Sequence, residues 1–202
     1  MGDRDRADRL RWNLKYREKG PESLASEPAE WLVAHRNLLG SEPLGRALDV
    51  ACGGGRNAAY LARLGFTVDA LDVSDVVIGW LQERVEREGL SVHPRSCDLT
   101  CEPLPRREYQ VVLNFNYLQR DLFAALKAAT APGGLVVFES FTRLQVKLPL
   151  GPSAPEHTLE LGELRCAFSD FEILDYRETT LFPEDIPKAR ALASLVARRP
   201  DR

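Results

Sequence analysis

The sequence has few of the residues that would build a metal site or a disulfide framework. Among its 202 residues are four cysteines, three histidines and one methionine. The cysteines form no Cys-x-x-Cys pair, so we expect reduced, structural thiols. His93, Cys97 and Cys101 are spaced by fours, but the segment between them is predicted as a strand, where this spacing does not bring side chains to one point. We therefore expect no metal.

Long apolar runs are also missing, and the longest ones fall well short of a membrane span. No apolar segment follows the charged residues 3–6, so no secretory signal is predicted and a cytoplasmic location is expected. The formal net charge of −3 argues against a nucleic-acid-binding surface. The expected partner is a small molecule, with no nucleic acid and no membrane, and the expected state is a monomer or homodimer.

Hydrophobic residues make up 44% of the chain and charged residues 28%, as in a globular domain. No internal repeat is visible. The charged first residues predict a flexible tail over 1–11, and residues 12–202 are predicted to form a single domain.

Strand and helix patterns alternate along the chain. We predict a helical turn at 12–16, a helix from a Ser26 N-cap to Gly40, and further helices after the glycines, from 74 to 88, at 120–130 and at 161–168. A loop is expected at 148–155, and Pro132-Gly133-Gly134 predicts a turn before the fifth strand. The predicted strands are 46–50, 66–72, 91–98, 109–115, 135–139, 171–178 and 191–199. This alternation predicts an α/β fold, a Rossmann-like doubly wound sheet of seven strands, mostly parallel with the last one antiparallel, in a three-layer sandwich.

Residues 47–57, Ala-Leu-Asp-Val-Ala-Cys-Gly-Gly-Gly-Arg-Asn, carry most of the functional information. A short apolar strand passes into three glycines, and a helical pattern follows. Such an arrangement is typical of sites for nucleotide-type cofactors, because glycines allow a sharp turn and a close approach of backbone to ligand. Asp49 precedes the glycines. Its carboxylate would repel a pyrophosphate and favours a ligand with a positive charge or an amine.

Two interpretations of this loop follow. The spacing Gly53-x-Gly55-x-x-Ala58 fits the loose dinucleotide pattern and would indicate an NAD(P)-dependent Rossmann oxidoreductase. The longer frame, Asp49-x-Ala51-x-Gly53-x-Gly55, resembles motif I of class I S-adenosylmethionine (SAM) methyltransferases, with Ala51 where the usual motif has glycine. Those enzymes also use a seven-stranded sheet with an antiparallel last strand.

Acids at three successive strand ends favour the second interpretation. Asp72 lies where a carboxylate usually accepts the hydroxyls of a ribose diol, and Asp98 is placed to accept from the exocyclic amine of adenine. Asn114, at the end of the fourth strand, would face the methionine part of the cofactor through its backbone carbonyl. So much negative charge suits a sulfonium with an amino group better than a pyrophosphate.

A run of eight residues that begins at the last of the glycines points to one group within these methyltransferases. Residues 55–62, Gly-Arg-Asn-Ala-Ala-Tyr-Leu-Ala, are similar to a string of the tellurite-resistance (TehB-type) SAM methyltransferases. Trp12-Asn13-x-x-Tyr16 resembles a turn of that family and of its thiopurine-methyltransferase-like relatives, and residues 162–165 and 195–199 resemble later parts of the family. The resemblance implies transfer of a methyl group from SAM, with S-adenosylhomocysteine (SAH) as product, to a small soft acceptor, a chalcogen oxyanion or a thiol-like compound.

The residues expected to bind the cofactor come from the strand ends, the glycine loop and the N-terminal turn. Trp12 and Tyr16 would either close over the cofactor as an aromatic lid or anchor that turn to the core. The full set is Trp12, Tyr16, Asp49, Ala51, Cys52, Gly53, Gly55, Arg56, Asn57, Asp72, Val73, Asp98, Leu99 and Asn114.

On the acceptor side the candidates are Tyr117, Arg120, Arg143 and His157. Either arginine would hold an anion, and His157 would deprotonate a neutral acceptor. Each also has a structural interpretation: Arg120 would pair with Asp121 or Glu102, and His157 would simply lie at the surface. A soft anionic acceptor needs no general base, so in-line transfer relies on positioning. For the same reason a SAM-binding regulatory protein without turnover stays an alternative, and a protein acceptor stays open.

Overall fold

The computed structural model of the chain describes residues 3–41, 44–149, 151–181 and 189–201. Residues 1–2 of the predicted tail and residue 150 of the predicted loop lie outside the described residues. The described residues are built around one sheet of seven strands. In chain order the strands are β1 (Arg46–Val50), β2 (Thr67–Asp72), β3 (Val92–Ser96), β4 (Tyr109–Phe115), β5 (Thr130–Phe141), β6 (Glu172–Leu181) and β7 (Arg190–Arg198).

The strands lie in the order β3-β2-β1-β4-β5-β7-β6. Pairing is parallel from β3 across to β5, and β7 runs antiparallel to both of its neighbours. The order reverses between β1 and β4, which is the switch point where doubly wound sheets bind ligands. The predicted fold, mostly parallel with the last strand antiparallel, is confirmed.

Helices cover both faces of the sheet. They are α1 (Asp3–Lys19), α2 (Glu30–Ala34), α3 (Arg36–Ser41), α4 (Arg56–Arg63), α5 (Asp75–Glu88), α6 (Leu122–Ala129) and α7 (Glu163–Ala167), with short 3₁₀ turns at Pro21–Ser23, Arg143–Lys147 and Pro155–His157. No helix within the described residues is long and apolar enough to cross a membrane.

Two apolar cores lie on opposite faces of the sheet. One joins residues of α6 and α7 to the sheet around Phe138, Phe168 and Phe171. The other packs residues of the helices α2, α3, α4 and α5 against the opposite face of the sheet, and it includes Trp31 and Leu61. Residues of β4 alternate between the two cores, because successive side chains of a strand point to opposite faces. Burial on both faces explains the continuous apolar sequence of β4.

The N-terminal segment differs from its prediction. A single helix, α1, covers Asp3–Lys19, where the sequence predicted a tail to residue 11 and then a turn. The pattern was hard to recognise because α1 has almost no apolar face, and Leu10 and Leu14 are both exposed. Polar contacts with the rest of the domain, described below, hold this helix. The mobility of residues 1–11 stays a prediction.

The predicted helix from Ser26 to Gly40 is wrong in two respects. It begins at Glu30, because the Asn57 Oδ1 atom accepts a hydrogen bond from the backbone N–H of Ala29 at 2.9 Å. It also divides at His35, whose ring bonds to Trp31 O and to Asp175. The contacts of Asn57 with Ala29 and of Asp175 with His35 join distant parts of the chain, which local sequence does not report.

Strand β5 is longer than predicted. Thr130 already pairs with Tyr109 of β4, and the next pair joins Val111 to Leu135 after a shift of register. The expected turn at Pro132-Gly133-Gly134 is instead an irregularity within the strand, where Gly133 has a φ of 74°. Proline and glycine therefore mark a bulge here rather than the start of the strand.

Candidate active site

The loop from Ala51 to Gly55 joins β1 to α4 in a conformation that glycine favours. Positive φ angles occur at Ala51 (51°), Gly53 (53°) and Gly55 (70°). A Cβ atom at Gly55 would lie 2.4 Å from a methyl carbon of Leu81, so a side chain fits there only if the Leu81 side chain moves. Ala51 adopts a conformation that costs an L-residue about 1 kcal/mol or more. A glycine, which motif I of class I SAM methyltransferases usually has at this position, would adopt the same conformation without that cost.

Three acids lie at the ends of three adjacent strands. Asp49, Asp72 and Asp98 are 2%, 7% and 4% exposed, respectively. Because β1, β2 and β3 are parallel neighbours, their carboxyl ends meet at one edge of the sheet, and the structure places all three acids there. Their remaining hydrogen-bonding capacity shows what each could receive from a ligand.

The carboxylate of Asp49 is only partly satisfied. It accepts a hydrogen bond from the Ala58 N–H in the first turn of α4, whereas its buried Oδ2 atom has no partner among the described residues. Burial raises the pKa of Asp49 to about 7, against the effects of Ala58 N–H and Arg56, and the charge of Asp72 adds to the rise. An unpartnered buried carboxylate oxygen is costly unless a ligand supplies a donor, so this residue fits an ammonium group.

Asp72 connects β2 to the glycine loop. Its Oδ2 atom accepts a hydrogen bond from Gly53 N–H at 2.9 Å, and its Oδ1 atom accepts one from Ser74 N–H at 3.0 Å. Burial raises the pKa of the carboxyl, and these bonds and one from Val73 N–H lower it. Each oxygen keeps a further lone pair, which is what two hydroxyls of a ribose would use.

Asp98 has the same kind of unused acceptor as Asp49. Its Oδ1 atom accepts from both the backbone N–H and the hydroxyl of Thr100, at 2.9 and 2.6 Å. Its Oδ2 atom is buried and has no partner in the part of the chain that the structure describes. A neutral amine such as the exocyclic amine of adenine would supply the missing donor.

Helix α1 lies beside this edge of the sheet. The Tyr16 hydroxyl oxygen would be 3.4 Å from a Cβ atom on Gly53, and burial raises the pKa of Tyr16, with smaller contributions from the charges of Asp72 and Cys52. Trp12 and Trp80 flank the Tyr16 ring, with centroids 5.8 and 6.4 Å away. Tyr16 therefore contacts the glycine loop directly, whereas Trp12 lies one ring further out.

Polar contacts fix α1 to the domain. Asn13 Oδ1 accepts a hydrogen bond from Ser74 Oγ at 2.7 Å, next to the start of α5. Arg9 Nη1 donates to Asp75 Oδ1 at 2.8 Å and to Ser96 Oγ at 2.7 Å. These contacts reach the ends of β2 and β3, so α1 covers the edge where the acids lie.

The segment after β4 lies near Asp98. Tyr117 OH donates to Gln119 Oε1 at 2.5 Å, and Gln119 Nε2 donates to Leu99 O at 3.1 Å. Burial raises the pKa of Tyr117, and the charge of Asp98 is the next cause. These surroundings place Tyr117 on the Asp98 side of the crevice, which favours a role beside the cofactor over the predicted role beside the acceptor.

Asn114 and Asn57 use their side chains within the protein. Asn114 Nδ2 donates to Tyr117 O at 2.7 Å, which supports the segment after β4. Asn57 Oδ1 accepts the hydrogen bond from Ala29 N–H at the start of α2, as described above. The Oδ1 atom of Asn57 and the Nδ2 atom of Asn114 are thus engaged within the protein, and the contact of Asn114 with a cofactor through its backbone carbonyl stays a prediction.

Cys52 and Arg56 flank the glycines. Burial raises the pKa of the Cys52 thiol well above its usual value, so it is not a reactive thiolate. Arg56 is half-buried at the start of α4, and its Nη1 atom donates to Glu27 O at 3.2 Å. Desolvation and the charge of Arg190 lower the pKa of Arg56, whereas Asp49 and Glu139 raise it. The carboxylates of Asp49 on β1 and Glu139 on β5 thus both influence the guanidinium of Arg56.

Arg120 is held in structural contacts. Its Nε and Nη2 atoms donate to the two carboxylate oxygens of Glu163 at 2.6 and 2.8 Å. Two backbone carbonyls, Glu156 O and Thr158 O, accept further bonds from it at 3.0 Å. The predicted pairing with Asp121 or Glu102 is therefore replaced by one with Glu163. With most of its donors used in this way, Arg120 is a clamp between α6 and α7 rather than a free anion site.

Arg143 and His157 are exposed side chains. Arg143 pairs with Glu160 and lines a groove of about 330 Å³ together with Leu144, Leu161 and neighbouring residues near the end of β6. His157 is exposed in its 3₁₀ turn, as its structural interpretation expected. Neither is joined by a described contact to the three acids, so their acceptor roles stay predictions.

Glu139 is a residue that the sequence-based candidates omit. It ends the apolar run of β5, is 8% exposed, and accepts a hydrogen bond from Ser194 Oγ at 2.7 Å. The signal that drew attention to Asp49, an acid at the end of an apolar strand, is present here too. Asn13 was named in the motif Trp12-Asn13-x-x-Tyr16 but given no role, because its partner Ser74 is distant in sequence. Among the described residues no group of three or more metal-ligating side chains could hold a metal ion.

Comparison with solved structures supports the same architecture. A protein from a study of the conversion of a disulfide bond into a thioacetal group during echinomycin biosynthesis aligns with a TM-score of 0.72 and 21% identity, over 96% of this chain and 93% of that one. The crystal structure of TehB from Haemophilus influenzae aligns with a TM-score of 0.72 and 23% identity, over 95% of this chain and 66% of that one. At these identities the likeness shows the fold alone.

Sequence comparisons give related proteins with activities in their names. A relative from Haemophilus influenzae, named "Probable S-adenosyl-L-methionine-dependent methyltransferase TehB", is 28% identical over 141 residues, which are 66% of this chain and 48% of the relative. A ubiquinone biosynthesis O-methyltransferase from Burkholderia orbicola is 32% identical over 121 residues, 56% of this chain and 50% of the relative. The chain thus spans about half the length of these curated relatives.

The family itself is identified by a match along most of the domain. The model of the family described as tellurite resistance protein TehB matches residues 40–183, more than half of the chain. This match includes the glycine loop and all three acids, and it confirms the resemblance predicted from residues 55–62. The chain belongs to the TehB family.

Proposed function

We propose that the chain is a SAM-dependent methyltransferase that acts on a small molecule, by in-line transfer to a soft thiol or chalcogen acceptor. The observation that carries the cofactor assignment is a pair of buried carboxylate oxygens, on Asp49 and Asp98, that have no hydrogen-bond partner among the residues the structure describes. Each oxygen would receive a donor from SAM: the amino group at Asp49 and the adenine amine at Asp98. The names of the TehB and O-methyltransferase relatives support the same assignment.

The remaining cofactor contacts follow from the order of the strands. Asp72 would accept the ribose hydroxyls, and the backbone of the loop at Gly53 and Gly55 would pass close to the ligand. Asn114 would offer its carbonyl to the methionine part. Tyr16 would cover the ligand from α1, in line with its place against the loop. The predicted aromatic lid is therefore favoured for Tyr16.

The bound cofactor would supply a methyl group on a positively charged sulfur, a leaving group that needs no further activation. The chain's own contribution would be to hold the acceptor in line with that methyl group and to exclude water. Three ionisable acids at the cofactor edge disfavour a pyrophosphate ligand and hence the NAD(P)-dependent alternative.

The acceptor is assigned from the family. A tellurite-resistance family suggests a chalcogen oxyanion or a thiol-like compound, whereas the ubiquinone relatives carry O-methyltransferase names. The formal net charge of −3 argues against a nucleic-acid acceptor. A cytoplasmic location and a monomeric or homodimeric state stay predictions.

A labelled-methyl screen tests this proposal. Purified protein with radiolabelled SAM is offered simple thiols, selenite, tellurite and small phenols, and labelled product is expected with a thiol or chalcogen acceptor. Asp98→Asn should lose most of the turnover at low SAM concentration, whereas the matched change Asp121→Asn, an exposed acid outside the crevice, should keep it. SAM binding with no product from any acceptor would instead support a regulatory protein without turnover.

A further inference from the structure

The order of the three acids gives a direction along the edge of the sheet. If Asp98 holds the adenine, Asp72 the ribose and Asp49 the amino group, the cofactor runs from β3 towards β1, with its methionine end at the switch point. The next strands along the sheet are β4 and β5. The acceptor must therefore lie beyond the ends of these two strands, because the cofactor already occupies the edge on the other side.

Glu139 is the buried acid at that position. It is paired in register with Phe115 of β4 on one side and with Ser194 of β7 on the other. The backbone of Asn116, whose φ is 58°, bends over the end of β5 and donates from its N–H to Glu139 O at 2.8 Å. Glu139 thus lies near the end of β5, level with the last residue of β4, two strands from Asp49 and on the side expected for the acceptor.

One oxygen of this carboxylate is fixed and the other is free. Ser194 Oγ donates to Oε2 at 2.7 Å, and Arg177 Nη2 lies 3.6 Å from the same oxygen. Arg177 is itself packed over the ring of Trp31, 4.4 Å from its centroid. Within the described residues, Oε1 has no hydrogen-bond or ion-pair partner. The side chain is therefore oriented through Oε2, which leaves Oε1 able to accept a proton.

The neighbourhood links Glu139 to the cofactor site. The half-buried guanidinium of Arg56 is influenced by Asp49 at the end of β1 and by Glu139 at the end of β5. The charges of Asp49 and Glu139 thus both act on the guanidinium of Arg56.

We propose that Glu139 is the catalytic proton acceptor for acceptors that bind with their hydrogen still attached, such as a neutral thiol or hydroxyl. The proposal rests on the proposed function and deepens it. In the balanced step, the acceptor's hydrogen moves as a proton to Glu139 Oε1. The electron pair it leaves forms the bond from acceptor to methyl carbon, and the pair of the broken sulfur–methyl bond stays on sulfur. Water then takes the proton from Glu139.

Two thiols of similar size separate this role from a structural one. Benzyl mercaptan is protonated at neutral pH, whereas 4-nitrothiophenol is ionised and needs no base. Glu139→Gln should lower kcat/KM about a hundredfold or more for benzyl mercaptan but less than about fivefold for 4-nitrothiophenol. Equal loss with both thiols, or loss with neither, would overturn the proposal.

Matched variants guard against a folding defect. Glu178→Gln changes a carboxylate near the same edge, one that accepts a hydrogen bond from Gly162 N–H at 2.7 Å, and should affect both thiols equally. Ser194→Ala keeps the Glu139 carboxylate but removes the bond that orients it, and should cost about tenfold with benzyl mercaptan alone. The affinity for SAH should be the same in Glu139→Gln and in the unchanged protein.

A binding experiment tests Glu139 even if neither thiol is methylated. Benzylammonium has the shape of benzyl mercaptan with a cation in place of the thiol. It should bind to the SAH-loaded protein, and Glu139→Gln should weaken that binding tenfold or more, about 1.4 kcal/mol, whereas Glu178→Gln should not. No binding to the unchanged protein, or equal binding to Glu139→Gln, would overturn the proposal. Failure of methyl transfer with this binding intact would count against the proposed function alone.

Discussion

Asn13 of α1 accepts a hydrogen bond from the hydroxyl of Ser74, the N-cap of α5, at 2.7 Å. The bond joins a helix that has almost no apolar face to the strand end where Asp72 lies. Since α1 is held by such polar contacts, its position over the crevice depends on a few side chains. This dependence makes the role of α1 testable apart from the fold.

Asn13→Ala should loosen α1 and weaken SAH binding by about tenfold, because Tyr16 would no longer be held against the glycine loop. The loss of one partly buried hydrogen bond should lower the free energy of unfolding by only about 1 kcal/mol. Calorimetric titration with SAH and denaturant unfolding measure the two effects. Glu18→Ala, an exposed change on the same helix, is the control, and equal SAH affinity in all three proteins would show that α1 does not cover the ligand.

The raised pKa of Asp49 predicts a pH dependence of ligand binding. An ammonium group of SAH needs the ionised carboxylate, and with a pKa of about 7 this form becomes scarce below neutral pH. SAH affinity should therefore fall by roughly tenfold for each pH unit below 7. Asp49→Asn should bind weakly at every pH and lose this dependence, as seen by titration between pH 5 and pH 7.5.

Stability of the ligand-free protein should change in the opposite direction. Folding raises the pKa of Asp49 from 3.8 to about 7, so between these values the folded protein binds more protons than the unfolded chain. The contribution of Asp49 to the free energy of unfolding is therefore present at low pH. It is lost as the pH rises from about 3.8 to about 7, so stability falls over that range. A pH-independent SAH affinity, together with no such difference between the Asn variant and the parent, would contradict the assignment of Asp49.

Ala51→Gly should be tolerated or stabilising. Relief of the positive φ should raise the free energy of unfolding by about 1 kcal/mol or more. The greater conformational freedom of glycine in the unfolded chain should lower it by about 0.4–1 kcal/mol. We expect the free energy of unfolding to rise by up to about 1 kcal/mol in a denaturant titration. Ala62→Gly, within α4, should instead lower it by about 1 kcal/mol. Similar losses in both variants would show that Ala51 is not strained.

Arg120→Met should affect stability rather than substrate binding. It removes a bidentate ion pair with Glu163 and two bonds to carbonyls at a partly exposed site, so we expect a loss of about 2 kcal/mol in the free energy of unfolding. The SAH affinity and the KM for an anionic acceptor should stay unchanged. A raised KM with unchanged stability would restore the anion-binding role predicted from the sequence.

Much of the cofactor edge was predictable because its signals are local. Asp49, Asp72 and Asp98 each follow a recognisable strand, and parallel strands bring their ends together without further information. The sharp turn of the glycine loop was also predictable from its sequence, because glycine adopts backbone conformations that other residues avoid. The family resemblance in residues 55–62 was equally local, and the family match confirms it.

The acceptor side could not be predicted in the same way. Arg120 was a reasonable candidate by type, but its partner Glu163 is 43 residues away in sequence, and only the fold brings the two together. Asn57 lies in the family string, yet its side chain serves α2. Glu139 had a local signal, but its orientation depends on Ser194 of a strand that is distant in sequence.

The most direct test of the central claim is a calorimetric titration of the purified protein with SAM and, separately, with NAD⁺ and NADH. The buried oxygens of Asp49 and Asp98 predict that SAM binds and that the dinucleotides do not. Asp98→Asn should weaken SAM binding by about tenfold or more, because its amide presents a donor where the adenine amine needs an acceptor. Tight binding of NAD⁺ or NADH with none of SAM would contradict the account.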